Sequence, residues 1–135
     1  MPIGGWGRTV RPRPRFPSLV VAAAAARVAV ADLNRSRSAA GLPTTGFTLA
    51  LHEGEVLYGN VGSRDRLDFT VVGPSVNEAS RIQALCRSLD QPILVSEGFA
   101  RACGPDTRRL VSVGRYALRG VERPQELFTL DHGDR

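Results

Sequence analysis

Lysine is absent from this chain of 135 residues, so all eighteen basic side chains are arginine. Cysteine occurs twice, at Cys86 and Cys103. Two thiols are too few for a disulfide scaffold or a zinc site, and the expectation is a reducing, cytoplasmic setting. There is no uninterrupted run of eighteen apolar residues. The longest, Leu19 to Ala26, is eight residues and mostly alanine, so no membrane segment is expected. That run behind a basic start imitates a secretory signal weakly, but the intervening prolines argue against one. The hydrophobic fraction of 42% and charged fraction of 23% exclude a wholly disordered chain. The length is that of one domain able to bury a core.

Acid is missing from the first fifteen residues, which hold Arg8, Arg11, Arg13 and Arg15 and so supply four of the five net positive charges. The remainder sets fourteen arginines against thirteen acids and is nearly neutral. Residues 1–17 mix glycine, proline and arginine, and alternating Arg and Pro cannot continue a helix. They are expected to form an unstructured leader ahead of a domain at 18–130, with 131–135 as a tail. An arginine arm that contacts nucleic acid or anionic lipid is one alternative for the leader. Basic tails without a structured reader bind weakly, so no nucleic-acid partner is expected.

From Ser18 to about Ala39 the pattern is helical, with Ser18 as the cap, five consecutive alanines, and Gly41-Leu42-Pro43 as the stop. Val20, Ala24, Val28 and Ala31 fall on one small apolar face. Phe47 to Leu51 then alternates as a half-buried strand, Glu53-Gly54 reads as a tight turn, and Glu55 to Tyr58 as the returning strand of a hairpin. Gly59-Asn60-Val61-Gly62 reads as a turn, since no phosphate-loop pattern follows it. Arg66 to Val72 is a third strand, with Asp68, Thr70 and Val72 on the face away from Leu67, Phe69 and Val71. Gly73-Pro74 opens a second helix whose stripe is Val76, Ala79, Ile82, Cys86 and Leu89. Ile93 to Val95 is a short buried strand and Ser96 to Ala102 a brief helix. Leu110 to Val113, Tyr116 to Leu118 and Leu127 to Leu130 are strands. This order implies an α+β fold, an antiparallel-rich sheet with helices on one face.

The informative segment is LDFTVVGPSVNEASRIQAL, residues 67–85. It sets Thr70 near a strand end, Asn77 on the first helical turn, and Arg81 four residues on, above Asn77 on the same side. A hydroxyl, an amide and a guanidinium near the positive end of a helix favour phosphate, and arginine there can stabilise developing phosphoryl charge. His52, in ALHEG, is a candidate base but lacks a nearby nucleophile or metal partner in sequence, and it is read as structural or solvent-exposed. Cys86 is read as packing. Asp65 and Asp68 are read as partners of Arg64 or Arg66.

The run ALHEGEVLYGNVGSRDRLDFTVVGPSVNEASRIQALC, followed by LVSEGFA and YALRGVERPQELFTL, resembles the C-terminal half of class III adenylate cyclase domains of the bacterial type. The resemblance covers roughly residues 20–130. It implies the ferredoxin-like nucleotide cyclase fold and conversion of ATP to cyclic AMP and pyrophosphate in intracellular signalling. Position by position it implies that Thr70 helps read adenine, Asn77 holds the ribose, and Arg81 stabilises the transition state at the α-phosphate. Arg119, in LRG, falls near a basic residue that meets the outer phosphates. The family works as dimers with Mg2+ or Mn2+ on two aspartates, one in a pattern like FxDIxGFT and one in a GDG-type hairpin. Neither pattern occurs among Asp32, Asp65, Asp68, Asp90, Asp106, Asp131 and Asp134, and the lysine that partners the adenine-reading residue has no counterpart. The expectation is a fold truncated at the N-terminus by a shifted frame or gene decay, with an exposed apolar face and marginal stability. Such a chain would pair with itself or with an intact cyclase, lending Thr70, Asn77 and Arg81 to the partner's metal site. A non-catalytic regulator of intact cyclases is the main alternative, and the arginine-arm nucleic-acid binder a further one.

Overall fold

The computed structural model describes residues 6–8, 16–61, 68–104 and 110–131. Its elements are β1 (Trp6–Arg8), α1 (Phe16–Ala39), β2 (Leu49–Leu51), β3 (Leu57–Val61), β4 (Asp68–Val72), α2 (Pro74–Ser88), β5 (Ile93–Val95), α3 (Glu97–Ala102), β6 (Leu110–Tyr116) and β7 (Gln125–Leu130).

The apolar run Ile93-Leu94-Val95 can be buried on both sides, and it becomes a strand inside the main sheet, whose order is β2-β5-β7-β6. Alternation sends its side chains to two cores. Ile93 and Val95 pack with Val20 and Ala23 of α1 and with Phe99, Ala100 and Cys103 in and beside α3. Leu94 packs on the other side with Ile82 and Cys86 of α2, Leu118 and Leu127. The α+β class and antiparallel-rich pairing stand, but the helices do not share one face: α1 and α3 cover one side and α2 the other. A strand of alternating but uniformly apolar residues has two faces to cover, and one layer of helices covers only one.

The expected hairpin at Glu53-Gly54 does not form. β2 pairs in parallel with β5, Leu49 opposite Ile93 and Leu51 opposite Val95. β3 belongs to a second sheet of order β1-β3-β4, with Leu57 opposite Val72 and Gly59 opposite Thr70. Period-two alternation specifies which face a residue takes, not which strand it bonds. Gly59, Asn60 and Val61, read as a turn, are part of β3.

Trp6–Arg8, inside the stretch expected to be unstructured, forms β1 and pairs antiparallel with Leu57–Gly59. Backbone pairing to an open strand edge needs no side-chain pattern, so composition alone could not reveal it. α1 begins at Phe16, two residues before the expected cap, and Phe16 packs tilted against Phe99 with ring centroids 4.9 Å apart. Its inward face is Val20 and Ala23. Val28, expected inside, is 56% exposed, for the second half of α1 runs past the sheet. There it is tied by polar contacts instead, Asn34 to both backbone groups of Thr45 and Arg37 to the Pro43 carbonyl. By length and mean hydropathy (1.6 over its most apolar window) α1 is long and apolar enough to cross a membrane, and only 11% of that window is buried. The expectation of no such segment rested on unbroken apolar runs, a stricter test than mean hydropathy.

The rest follows local chemistry. Ser96 caps α3, its side chain accepting from the Phe99 N–H at 3.1 Å. β6 is one strand with a register shift between Ser112 and Gly114, where two shorter strands were expected, and it ends at Tyr116. Buried Thr129 donates to the Ile93 carbonyl at 2.7 Å, so its hydroxyl is satisfied.

Candidate functional site

α2 is aimed by what surrounds its first residue. Pro74 opens the helix where its missing N–H costs nothing, and Gly73 precedes it with φ 140°, a conformation side chains resist. No side chain caps this end and no acid occupies its first turn, so the positive end of the helix is open to an anion. Ile82 and Cys86 bury the inner face at 0% and 2% exposure. Burial in turn raises the Cys86 thiol pKa above its ordinary value, as expected of a packing cysteine.

With that face fixed, Asn77 and Arg81 are exposed on the outer side and line a cleft of about 430 Å³ with Pro74, Ser75 and Glu78. The opposite wall is the connection between β6 and β7: Arg119, Gly120, Val121 and Glu122. This wall is anchored by Leu118, 4% exposed, which packs against Ile82 and Cys86, and it closes with the Val121 N–H donating to the Leu118 carbonyl at 3.0 Å. Two arginines distant in sequence, Arg81 and Arg119, thus meet over one helix start. Among the described residues neither Arg81 nor Arg119 takes a hydrogen-bond or ion-pair partner. Two unpartnered guanidinium groups beside an uncapped helix start are chemically suited to a multiply charged anion.

The structure brings together Asn77, Arg81 and Arg119, but not Thr70. That residue lies exposed on β4 opposite Gly59 and does not line the cleft. Asp65 lies outside the described residues, as does the side chain of Asp68. His52, read as structural or solvent-exposed, is sheltered rather than exposed: Nε2 lies 2.5 Å from Glu78 Oε2, and its side chain is 9% exposed. Glu78, Ser75 and Glu122 were not singled out from sequence. Glu78 had one available signal, its place between Asn77 and Arg81.

The described residues offer no site that fits Mg2+ or Mn2+. Among the described residues no three His, Cys, Asp or Glu side chains converge to hold a metal ion. A second cavity of about 410 Å³, beside α3, holds Glu97, Arg101, Arg115 and Glu126. Arg101 and Arg115 are both paired with Glu97. Glu97 accepts from the Glu126 N–H at 3.0 Å and pairs with Arg101, and that backbone bond chiefly holds its carboxyl below the usual range, with the arginines adding to it.

Comparison with known proteins adds the following. No family model matches the chain. An uncharacterized protein of Mycobacterium tuberculosis (Rv1318c) is 35% identical over 114 residues, 84% of this chain and 20% of that protein. Another from the same organism (Rv1319c) is 36% identical over 107 residues, 78% of this chain and 19% of that protein. The chain spans about a fifth of the length of these relatives. Among solved structures, the adenylyl cyclase CyaB from P. aeruginosa superimposes with a TM-score of 0.69 at 23% identity, over 89% of this chain and 60% of that one. The guanylyl cyclase Cya2 gives 0.65 at 22%, over 94% and 64%. These likenesses establish the fold, which is the one those two cyclases share.

Proposed function

We propose that this chain is a nucleotide-binding part of a class III nucleotide cyclase, acting on ATP. The observation that carries the reading is the meeting of Asn77, Arg81 and Arg119 in one cleft at the uncapped start of α2. In this reading Asn77 holds the ribose, Arg81 faces the α-phosphate and Arg119 the outer phosphates. The reaction joins the ribose 3′-oxygen to the α-phosphorus, breaks that phosphorus's bond to the bridging oxygen of pyrophosphate, and releases the 3′-hydroxyl proton. Arg81 would favour the transition state by meeting charge that builds on the phosphoryl oxygens. No step is assigned to a metal here; metal ions would come with a partner chain. The assignment of ATP follows the sequence resemblance to adenylate cyclases; Thr70, which that resemblance assigns to adenine, lies on β4 outside the cleft.

Calorimetric titration with a non-cyclisable ATP analogue, with the GTP analogue alongside, tests the reading. Binding is expected, with ATP preferred. Arg81→Ala should lower affinity about tenfold or more, the range for a hydrogen bond to a charged group. Absence of binding by the folded chain, or binding indifferent to Arg81, would remove it.

A non-catalytic pairing module is the second reading, favoured by one feature. The cross-strand pair Leu57 and Val72 lies exposed on one face of the β3–β4 sheet, and Tyr58 and Val71 lie exposed on the other. A sheet left apolar on both faces suits an interface that needs no nucleotide.

A further inference from the structure

Glu78 is the one acid that α2 carries, and it stands three residues before Arg81. That is the spacing at which a carboxylate and a guanidinium on a helix attract each other. Yet Arg81 has no partner among the described residues, and Glu78 faces elsewhere. Its Oε2 meets His52 Nε2 at 2.5 Å, and its Oε1 accepts from Gln125 Nε2 of β7 at 3.4 Å. His52 follows β2, so this contact ties the end of a sheet strand to the second turn of α2. The tie is sheltered, with 9% of the His52 side chain and 22% of the Glu78 side chain exposed. Gly54 closes over it: a Cβ there would come within 2.1 Å of Ser75 Oγ and 3.8 Å of His52 Nε2.

We propose that His52 is a positioning residue that holds the Glu78 carboxylate away from Arg81 and so keeps the guanidinium free for phosphate, a role that rests on the nucleotide-binding reading above. Without the imidazole, Glu78 would lose a sheltered partner and turn to the nearest cation on its own helix. Arg81 would then reach the nucleotide already paired. His52 touches no nucleotide in this account.

The test uses the full chain with the ATP analogue, together with the Arg81 Nε–H signal in NMR spectra taken without nucleotide. His52→Leu should shift the Arg81 signal toward that of a paired guanidinium and weaken nucleotide binding about threefold to thirtyfold, the span of indirect couplings of this kind. His52→Gln, which keeps a donor, should stay near wild type. The decisive variant is His52→Leu with Glu78→Gln. Removing the charge that captures Arg81 should return both the signal and most of the affinity, whereas simple damage to packing would persist or worsen. Should His52→Leu fail to fold, His52→Asn, polar but too short to reach Glu78, takes its place with the same expectations. An Arg81 signal unmoved by loss of His52, or a double variant no better than the single one, overturns the proposal. If wild type binds no nucleotide, the functional reading falls, and the Arg81 signal alone still decides whether His52 keeps that guanidinium free.

Discussion

Gly54→Ala should destabilise the chain although Gly54 is exposed and its backbone is not in the left-handed region. An added Cβ would stand 2.1 Å from Ser75 Oγ and 2.7 Å from Ser75 Cβ. Rotating the Ser75 side chain moves the hydroxyl aside but not the Cβ, which is fixed by the backbone of α2. The loop after β2 must therefore lift from the start of the helix, and His52 is drawn with it. Overpacking of this kind costs about 1–3 kcal/mol. Ser75→Gly alone costs about 0.5 kcal/mol, the helix-propensity difference between serine and glycine, but it removes both clashing atoms. Urea denaturation of the wild type, both single variants and the double variant forms a cycle. The double variant should be more stable than the sum of the singles predicts by about 1 kcal/mol or more. Additive effects, or a Gly54→Ala chain as stable as wild type, would refute the close approach of this loop to α2.

Three further outcomes are expected. Leu94→Ala, at a site with 0% exposure against α2, should cost about 2–5 kcal/mol in urea denaturation, while Val111→Ala, 45% exposed on β6, should cost about 0.5 kcal/mol or less. Glu97 has its carboxyl held below the usual range in the folded chain, chiefly by the Glu126 N–H, so its ionisation favours folding. That contribution is complete above the ordinary carboxylate range and is lost as pH falls through it toward the folded value, so Glu97→Gln should show a flatter loss of stability in acid than wild type when Tm is followed against pH. Cys86 and Cys103 are 2% and 4% exposed and burial raises the Cys86 thiol pKa, so a thiol reagent should label neither until urea unfolds the chain; fast native labelling would contradict the packing of α2 and α3.

What the sequence made legible is what local chemistry decides. Gly73-Pro74 and the stripe ending in Ile82 and Cys86 specify α2 with its start and buried face, and the i, i+4 spacing of Asn77 and Arg81 then sets both on the cleft side. Ser96 signals α3 for the same reason. What depended on distant partners was not legible. The alternation in Leu49–Leu51 suits a hairpin and a parallel pair equally, and only β5, over forty residues later, resolves it. Gly54 looked like a turn residue and is instead a point of close approach. β1 carries no pattern, since its strand is made by backbone pairing with β3. In the cleft, Arg119 gained its place only when Leu118 was buried against Ile82, and Thr70 lost its expected place when β4 joined the other sheet. The His52–Glu78 pair joins two segments, each of which reads as ordinary by itself.

In the function proposed above, this cleft lends Asn77 and Arg81 to a nucleotide held jointly with a metal-bearing chain. The most direct measurement mixes the chain with a cyclase domain that keeps its metal-binding aspartates but has lost its own asparagine and arginine at the matching positions, and follows cyclic AMP formed from ATP. Mixing should produce cyclic AMP, and Arg81→Ala in this chain should abolish it. No product from a mixture shown to associate, or undiminished product with Arg81→Ala, would contradict the proposed function.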